Sequence, residues 1–429
     1  MAIISISDSQ INGANQILVT DGSSKIPAKD GSQITVLNAT NVASGTIATA
    51  RLDTGTTAGK LVVLDGSGNL PAVDASLLTG IVSATISASD PTLSTNPSGG
   101  VGTEWNNSTT GEMYICTDAT AGANVWKNVG AGSGNIIRFP GWGSTYGFST
   151  GGARSIGNPC NRIDRFSFTS DGNATDFGDL TISVSGNVGQ ADTSHGYNVA
   201  GQTGGTQRNE IERFAFASAG NGVDVGDITV ARGEGPSGSY DSTHGYIAGG
   251  NTTNVIDRYA FAASSNAVDV GDLVQNANGS GGATSFTHGY HFGGNSSNAT
   301  NLYKYSYAAS GNASDVGDMY QGTSANGENG NSETHGYAMG GHYGGAYINV
   351  VQKWAFATDG TTTDVGDLLF TGNSCNHASS TTHVYCVNGG NASSQYQHIQ
   401  KVPFATDGNM TDVGDLTAGA QTSCGTVNQ

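Results

Sequence analysis

Residues 243–273 read THGYIAGGNTTNVIDRYAFAASSNAVDVGDL, and this stretch is one copy of a unit that recurs along the chain. Its closing phrase, D-[VF]-G-D-[LIM], occurs six times at intervals of 45 to 49 residues, starting at Asp176, Asp224, Asp269, Asp315, Asp364 and Asp412. The opening phrase keeps the same interval, as HGY or HVY at His195, His244, His288, His335 and His383 and as YGF at Tyr146. Residues 134–429 therefore form an array of six repeats.

Each unit has the sequence pattern of four short β-strands. HGYIA is an apolar step that ends in a glycine pair, and VIDRYAF (255–261) alternates with the period of a strand. A glycine- or asparagine-rich turn such as TSDGN (169–173) then precedes DVGDL, which starts the outer strand. Four strands in this interval are typical of a β-propeller blade. The sequence predicts six blades, because a seventh full copy is not present.

The tail of the chain indicates how the ring closes. TAGAQTSCGTVNQ (417–429) follows the sixth DVGDL phrase and parallels LFTGNSCNHASS (369–380), which follows the fifth. We expect the tail to supply the inner strand of the first blade, which removes the exposed edges of an open ring.

The repeat resembles kelch blades through the strand that ends in a diglycine at 249–250, 293–294 and 340–341. It departs from that pattern in the second unit, which has Ala200 and Gly201, and in the sixth, which has NGG at 388–390. The late tryptophan of a kelch blade is replaced by the Val or Phe of the DVGD phrase. The resemblance implies a kelch-like propeller.

The composition fits an all-β protein and excludes several functions. Only 12% of the 429 residues are charged, against about a quarter in an average protein, and 66 are glycine. A net charge of −18 argues against nucleic-acid binding, which needs clustered Lys and Arg. The N-terminus lacks a signal-peptide pattern, and no apolar run reaches the roughly 18 residues of a membrane span, so we expect no membrane insertion. The five cysteines show no CxxC spacing and are expected to be reduced thiols.

The recurring histidine could be a metal ligand or part of the architecture. Equivalent positions on neighbouring blades are expected to lie on the order of 10 Å apart, too far for two histidines to share one ion. We therefore interpret the phrase structurally: the histidine hydrogen-bonds a backbone group, the glycine permits a turn, and the tyrosine packs between blades. No metal and no cofactor are expected.

The paired aspartates allow three interpretations. They could form an acid/base pair, or SDGNATD (170–176) could be a calcium loop, but the first aspartate of that loop is missing from the second and third units. The third interpretation is an ion pair between a DVGD aspartate, of the same blade or of a neighbouring one, and a basic residue that occupies one strand position in all six units: Arg165, Arg213, Arg258, Lys304, Lys353 and Lys401. We favour the ion pair.

Aromatic residues two apart flank this basic position and are expected to form inter-blade core, with a sugar platform as the alternative. They are Phe166/Phe168, Phe214/Phe216, Tyr259/Phe261, Tyr305/Tyr307 and Trp354/Phe356.

A different repeat occupies the N-terminal part of the chain. ILVTDGSSKIPAKDGSQIT (17–35) aligns with LVVLDGSGNLPAVDASLLT (61–79). These steps contain too few large apolar residues for a compact monomeric core, so we expect several chains to share one buried axis. Residues 81–133 are expected to form a small β-module with Trp105, Tyr114 and Trp126 as its core.

The N-terminal segment resembles the shaft of bacteriophage tail fibres and tail spikes. The order of shaft (1–80), module (81–133) and DVGD-repeat propeller (134–429) is similar to structural proteins of phages that infect marine cyanobacteria. The resemblance implies a homotrimer, located in the virion after assembly in the host cytoplasm, that attaches to tail or head proteins by its N-terminus. It also implies that propeller loops bind a host-surface polysaccharide or protein.

Variable loops at 151–162, 201–210 and 340–349 are the expected contact surface. Aromatic rings and guanidinium groups suit sugars and carboxylates, so the candidate ligand-binding residues are Arg154, Arg208, His342, Tyr343 and Tyr347. An ordinary solvated loop is the alternative for each of them.

Two other functions stay open from the residues alone. A head or vertex decoration fibre would carry the same shaft without receptor specificity. A glycan depolymerase would need two carboxylates at a defined separation, and its candidate acids outside the repeated turns are Glu210, Glu234, Glu328 and Glu333. We expect the chain not to be an enzyme.

Overall fold

The computed structural model describes residues 84–129, 139–154, 158–294, 299–322, 330–391 and 394–429. The regular secondary structure in these ranges consists of β-strands, so the predicted all-β class is confirmed. A search of the same ranges for a helix of membrane-spanning length and hydropathy finds none. The predicted shaft at 1–80 lies outside the described residues.

Residues 84–129 contain one four-stranded sheet. Its strands are β1 (Thr85–Ser87), β2 (Glu104–Asn107), β3 (Met113–Asp118) and β4 (Val125–Asn128), in that order, with β1 parallel to β2 and the other pairs antiparallel. Tyr114 and Trp126 are fully buried, and Trp105 packs edge-on against Trp126 at 5.8 Å between ring centroids. The prediction that these aromatics form the core of the module is confirmed.

The repeats form six antiparallel sheets of four strands each, which we number 1 to 6 along the chain. Sheet 1 contains β5 (Tyr146–Thr150), β6 (Cys160–Ser167) and β7 (Thr175–Val184). Sheet 2 contains β8 (Val188–Ala191), β9 (His195–Val199), β12 (Glu210–Ala215) and β13 (Val223–Asp227), with a side hairpin of β10 (Gln202–Thr203) and β11 (Thr206–Gln207). Sheet 3 contains β14 (Ser237–Tyr240), β15 (His244–Ala248), β16 (Thr253–Ala260) and β17 (Val268–Ala277).

The remaining sheets repeat this order. Sheet 4 contains β18 (Ser280–Thr284), β19 (His288–Gly293), β20 (Asn301–Ser306) and β21 (Ser314–Asp318). Sheet 5 contains β22 (Gly330–Asn331), β23 (His335–Met339), β26 (Val350–Ala355) and β27 (Thr363–Asp367), with a side hairpin of β24 (His342–Tyr343) and β25 (Ala346–Tyr347). Sheet 6 contains β28 (Asn376–Ser379), β29 (His383–Val387), β30 (His398–Pro403) and β31 (Thr411–Asp415).

The C-terminal tail completes sheet 1. Its strand β32 (Cys424–Val427) pairs antiparallel with β5, so that the first strand of sheet 1 comes from the end of the sequence. This confirms the strand predicted for the tail. The first strands of the six sheets contact one another in a closed cycle, β32, β8, β14, β18, β22, β28 and back to β32.

Buried hydrogen bonds join the first strands at every step of this cycle. Each bond links a side chain to the next sheet at 2.7 to 3.2 Å, and the six are Gln190 Nε2 to Ser239 O, Tyr240 N to Thr284 Oγ1, Thr284 N to Asn331 Oδ1, Asn331 N to Ser379 Oγ, Asn376 Nδ2 to Cys424 O, and Thr426 Oγ1 to Gln190 O. Hydrogen bonds between polar groups of the innermost strands therefore link neighbouring sheets at every step of the cycle.

The glycine of the HGY phrase makes room for an aromatic ring, and the prediction that it forms a turn is wrong. Gly196 lies opposite Phe214, and a Cβ on Gly196 would overlap the Phe214 ring. Sheets 1, 3, 4 and 5 repeat this pairing as Gly147–Phe166, Gly245–Tyr259, Gly289–Tyr305 and Gly336–Trp354. In sheet 6 both residues change, and Val384 lies opposite Val402. The side chains of the two paired positions together thus fill a space of nearly constant volume.

The third residue of the same phrase packs against the aromatic residues of the next sheet, as predicted. Ring centroids lie 4.7 to 5.7 Å apart at all six steps, in the pairs Phe148–Phe216, Tyr197–Phe261, Tyr246–Tyr307, Tyr290–Phe356, Tyr337–Phe404 and Tyr385–Phe168. The aromatic pairs are therefore inter-sheet core, and the sugar-platform alternative for them is wrong because the rings are largely covered by the neighbouring sheet.

The DVGD phrase joins each sheet to the turn of the next. Its first aspartate accepts a hydrogen bond from the N–H of its own glycine in sheets 2 to 6, at 3.0 to 3.2 Å. A Cβ on that glycine would meet the turn of the following sheet, as at Gly226 against Ser265. The N–H of the second aspartate donates to an asparagine in that turn at 3.1 Å, in five pairs: Asp179–Asn221, Asp227–Asn266, Asp272–Asn312, Asp367–Asn409 and Asp415–Asn173.

The basic residues do not pair with the DVGD aspartates, so that prediction is wrong. Lys353 binds Asp407 at 2.6 Å, and Lys304 with Asp359 and Lys401 with Asp171 form the equivalent pairs. Each partner aspartate lies in the turn of the next sheet. This turn faces the basic residue directly, whereas the first DVGD aspartate accepts a hydrogen bond within its own outer strand.

Arginine replaces lysine where the next turn has no aspartate. The residues at that turn position are Ala219, Ser264 and Ser310, and the facing basic residues are Arg165, Arg213 and Arg258. Arg213 lies beside the hydroxyl of Tyr197, which donates to Asp192 at 2.8 Å, and Arg258 lies beside the hydroxyl of Tyr246, which donates to Asp241 at 3.3 Å. Arg165 instead lies over the rings of Tyr146 and Phe177, at 4.5 and 5.0 Å.

Candidate functional site

The sheets have two faces, and the connections on them differ. Because neighbouring strands are antiparallel, the connections from first to second and from third to fourth strand share one side, which we call the near face. The connections from second to third strand, and from fourth strand to the next sheet, share the opposite side, the far face. All three variable loops singled out in the sequence are connections from second to third strand and lie on the far face.

The chain reaches the six sheets on the near face. Gly143 N donates to Ser379 O at 2.8 Å, and Gln429 Nε2 donates to Pro140 O at 2.7 Å and to Ala191 O at 3.0 Å. The Phe139 ring lies 5.0 Å from that of Phe286, in the loop between the first two strands of sheet 4. Residues 139–143 therefore cover the near-face ends of several first strands, on the side away from the variable loops.

Three predicted ligand-binding residues lie together on the far-face hairpin of sheet 5. His342 and Tyr347 are cross-strand partners with rings edge-to-face at 5.1 Å, and Tyr343 is 37% exposed. Gly344 and Gly345 have φ of +60° and +86°, the left-handed conformation that a two-residue hairpin turn requires. The GG sequence thus explains why these aromatic residues are held close together.

The two predicted arginines lie elsewhere. Arg208 forms an ion pair with Glu210, with its Nε 3.1 Å from the carboxylate, beside the hairpin of sheet 2. Arg154 is exposed at a bend in sheet 1, and its N–H donates to Asn158 O at 3.1 Å. Sheets 2 and 5 are three steps apart in the cycle of six. The candidate residues therefore do not form one site.

A second aromatic group adjoins the sheet 5 hairpin and was missed in the sequence. The rings of Phe370 and Tyr396 lie 4.2 Å apart, and His398 lies 6.1 Å from Tyr396. Phe370 belongs to the connection from sheet 5 to sheet 6, and Tyr396 belongs to the far-face loop of sheet 6. A signal was present, because units 5 and 6 alone carry aromatic residues or histidine in this loop.

Backbone hydrogen bonds hold the two aromatic groups side by side. Gly341 N donates to Gly372 O at 2.8 Å, and Gly372 N donates to Ile348 O at 3.1 Å, so residue 372 is bound to both ends of the hairpin. Asn373 N then donates to Gly390 O at 2.8 Å in the loop of sheet 6. The segment 370–373 therefore connects the hairpin to the Phe370–Tyr396–His398 cluster.

The basic side chains of the six sheets are used for internal contacts. Arg162, Arg208 and Arg232 form ion pairs with carboxylates within their own or the adjacent sheet. The three lysines bind turn aspartates, and the arginines of the shared strand position lie beside tyrosine hydroxyls or over aromatic rings. Among the lysines and arginines described in 139–429, Arg154 is the one whose side chain has no carboxylate, tyrosine hydroxyl or aromatic ring as a partner. The far face therefore offers little positive charge to a ligand.

Several buried ionisable groups have a structural role. Burial raises the pKa of Glu212, which accepts a hydrogen bond from Thr181 N of the preceding sheet at 2.7 Å. Gln352 and Gln400 occupy the same strand position; Gln400 accepts the equivalent bond from Leu369 N at 3.0 Å, and Gln352 accepts one from Gln321 N, one residue further along, at 3.0 Å. Burial lowers the pKa of both His291 and His377 to about 3, so these imidazoles are neutral at physiological pH.

The recurring histidines contact neighbouring hydroxyls. Nδ1 of each lies 2.7 or 2.8 Å from the Oγ of the preceding Ser or Thr, so the predicted bond to a backbone group is wrong. In the described ranges no group of three or more His, Cys, Asp or Glu residues could hold a metal ion. All five cysteines are buried.

The candidate acids of a depolymerase are dispersed. Glu210 is engaged by Arg208, Glu234 is exposed in the connection from sheet 2 to sheet 3, and Glu333 is exposed in a near-face loop of sheet 5. Glu328 lies outside the described residues.

No known protein family matches the chain, and no curated protein is significantly similar to it.

Proposed function

We propose that the chain is a structural protein of a bacteriophage particle, a trimeric tail fibre or spike that binds a host-surface glycan through its far-face loops. The six sheets would form a kelch-like six-bladed β-propeller. The N-terminal region would bring three chains together and attach them to the virion, and the protein would have no catalytic activity.

The observation that carries the binding proposal is that the segment leading into the six sheets and the variable loops lie on opposite faces of those sheets. The segment 139–143 lies on the near face, whereas the variable loops lie on the far face. A fibre attached through its N-terminus would therefore present these loops away from the particle. Three copies of a weak site on each fibre would give avidity without tight individual contacts.

The proposed propeller is supported by the cyclic contacts of the first strands and by the repeated aromatic contact at all six steps. Pairing of β32 with β5 covers the inner edge of β5 and gives sheet 1 the same four strands as the other five sheets. The two aligned N-terminal phrases, poor in large apolar residues, support a shaft made from several chains.

Two measurements on the full-length protein test this proposal. The first is its mass in solution, expected to be three times the 43.4 kDa chain. The second is binding of the labelled protein to a panel of bacterial cells with and without periodate treatment, which destroys surface glycans. Saturable binding that periodate removes is expected.

The other outcomes separate the rival functions. A monomer would contradict the fibre. A trimer that binds no cells would favour a decoration fibre, and binding that survives periodate but not protease would indicate a protein receptor. Release of reducing sugar from the cells by the purified protein would indicate a depolymerase.

A further inference from the structure

We infer that the ligand is an uncharged, polyhydroxylated chain, and that it lies across two neighbouring groups, the sheet 5 hairpin with His342, Tyr343 and Tyr347 and the Phe370–Tyr396–His398 cluster. This inference rests on the proposed function and specifies both the chemical class of the glycan and its place on the far face.

The position follows from the distribution of aromatic residues. The second-to-third-strand loops of units 1 to 4 contain Gly, Ser, Thr, Asn and other non-aromatic residues, whereas those of units 5 and 6 contain HYGGAY (342–347) and QYQH (395–398). The segment 370–373 binds both loops through its backbone, so the two groups are fixed as neighbours. A chain that stacks on one group can continue onto the other.

Polar groups beside the rings suit sugar hydroxyls. The carboxylates of Asp412 and Asp415 lie 3.4 and 3.6 Å from the buried His398 Nδ1, and both carboxylates are partly exposed. Asn391 Nδ2 donates to the Tyr396 hydroxyl at 2.9 Å. Aromatic faces with a few convergent hydrogen-bonding groups bind the apolar and hydroxylated sides of a sugar ring together.

The charge distribution excludes a polyanion as the preferred ligand. Nine of the ten basic residues described in 139–429 have internal partners, and the tenth, Arg154, lies on sheet 1 rather than on sheets 5 and 6. The net charge of −18 and the carboxylates of Asp412 and Asp415 would repel sulfate or uronate groups.

The test uses the full-length protein and an array of immobilised oligosaccharides. The probes are neutral oligomers of glucose, galactose, mannose and N-acetylglucosamine, each beside sulfated or uronic-acid counterparts, at low and high NaCl. Variants are Tyr343→Ala on the hairpin and Tyr396→Ala in the cluster. Tyr320→Ala is the matched control, since Tyr320 is 54% exposed and follows β21 in the connection out of sheet 4, outside both aromatic groups.

We expect a neutral probe to bind best, with little dependence on salt. Tyr343→Ala and Tyr396→Ala should each weaken binding about tenfold, which corresponds to about 1.4 kcal/mol, and Tyr320→Ala should leave it unchanged. Tyr396→Phe keeps the ring and its packing on Phe370, so it should retain most of the affinity. It thereby separates loss of stacking from misfolding.

Other results would overturn the inference. Preferential, salt-sensitive binding of sulfated or uronic-acid probes would contradict the charge argument. Loss of affinity in Tyr343→Ala but not in Tyr396→Ala would confine the ligand to the hairpin. If the wild-type protein bound neither any probe nor any cell, the proposed function would fail, and this inference with it.

Discussion

The pairing of Gly196 with Phe214 predicts a strong, measurable coupling between two strands of sheet 2. A Cβ on Gly196 would lie within 3.0 Å of the Phe214 ring, a separation that Cβ atoms do not tolerate. Gly196→Val should therefore cost about 1–3 kcal/mol, the usual penalty of overpacking. Phe214→Val should cost about 3 kcal/mol, near the lower end of the range for loss of a buried Phe side chain.

The double variant recreates the pairing of sheet 6, where Val384 lies opposite Val402. The clash disappears in it, but the contacts of Phe214 with Phe148 at 5.4 Å are not restored. We therefore expect the double variant to cost about 3 kcal/mol rather than about 5, a coupling of about 2 kcal/mol.

The assay is chemical unfolding of the full-length protein, followed by circular dichroism for the wild type, both single variants and the double variant. Gly220→Ala is the control, because no atom lies within 4 Å of its Cβ position, and it should change the unfolding free energy by less than about 0.5 kcal/mol. Strictly additive costs would refute the shared-volume argument.

Three further predictions concern the repeats. Burial raises the folded-state pKa of Glu212 above its usual value, so its carboxylate costs stability at neutral pH, and this cost is lost as pH falls through the folded pKa. Glu212→Gln, which copies Gln352, should raise the unfolding midpoint at pH 7 but not at pH 4, and an equal effect at both would contradict this. Deletion of residues 424–429 removes the inner strand of sheet 1 and should make the six sheets protease-sensitive; unchanged resistance would show that β32 is dispensable. Lys304→Met should lower the unfolding free energy by about 0.5–1 kcal/mol, because it removes the ion pair with Asp359. The same substitution should cost less in a protein that already carries Asp359→Ala. If the two losses are additive, the ion pair contributes nothing.

Local pattern was enough to predict the repeated elements. Alternation in VIDRYAF, the glycine-rich turns and the constant interval predicted four strands per unit, because strand period and turn chemistry are properties of neighbouring residues. The parallel between the tail and residues 369–380 likewise predicted β32, since a segment of repeated sequence takes the place of its equivalents.

The partners of side chains between sheets could not be read from the sequence. Lys353 was assigned to a DVGD aspartate, but it binds Asp407 at a separation of 54 residues. The choice between the two acids depends on which loop of the next sheet faces the strand, and that follows from packing alone. The glycine of HGY was misassigned for a similar reason, because its constraint is a ring on the adjacent strand.

The candidate ligand-binding surface also has one part that the sequence determined and another that only the packing of the sheets decided. The sequence by itself determined that the loop of unit 5 carries the aromatic phrase HYGGAY (342–347), whereas the hairpin and the cross-strand contact of His342 and Tyr347 came from the structure. Only the tertiary structure decided that Phe370, Tyr396 and His398 lie beside it and that Arg208 is engaged by Glu210. Turns and strands form from contacts between residues close in sequence, whereas a surface shared by two sheets exists only after the sheets have packed against each other.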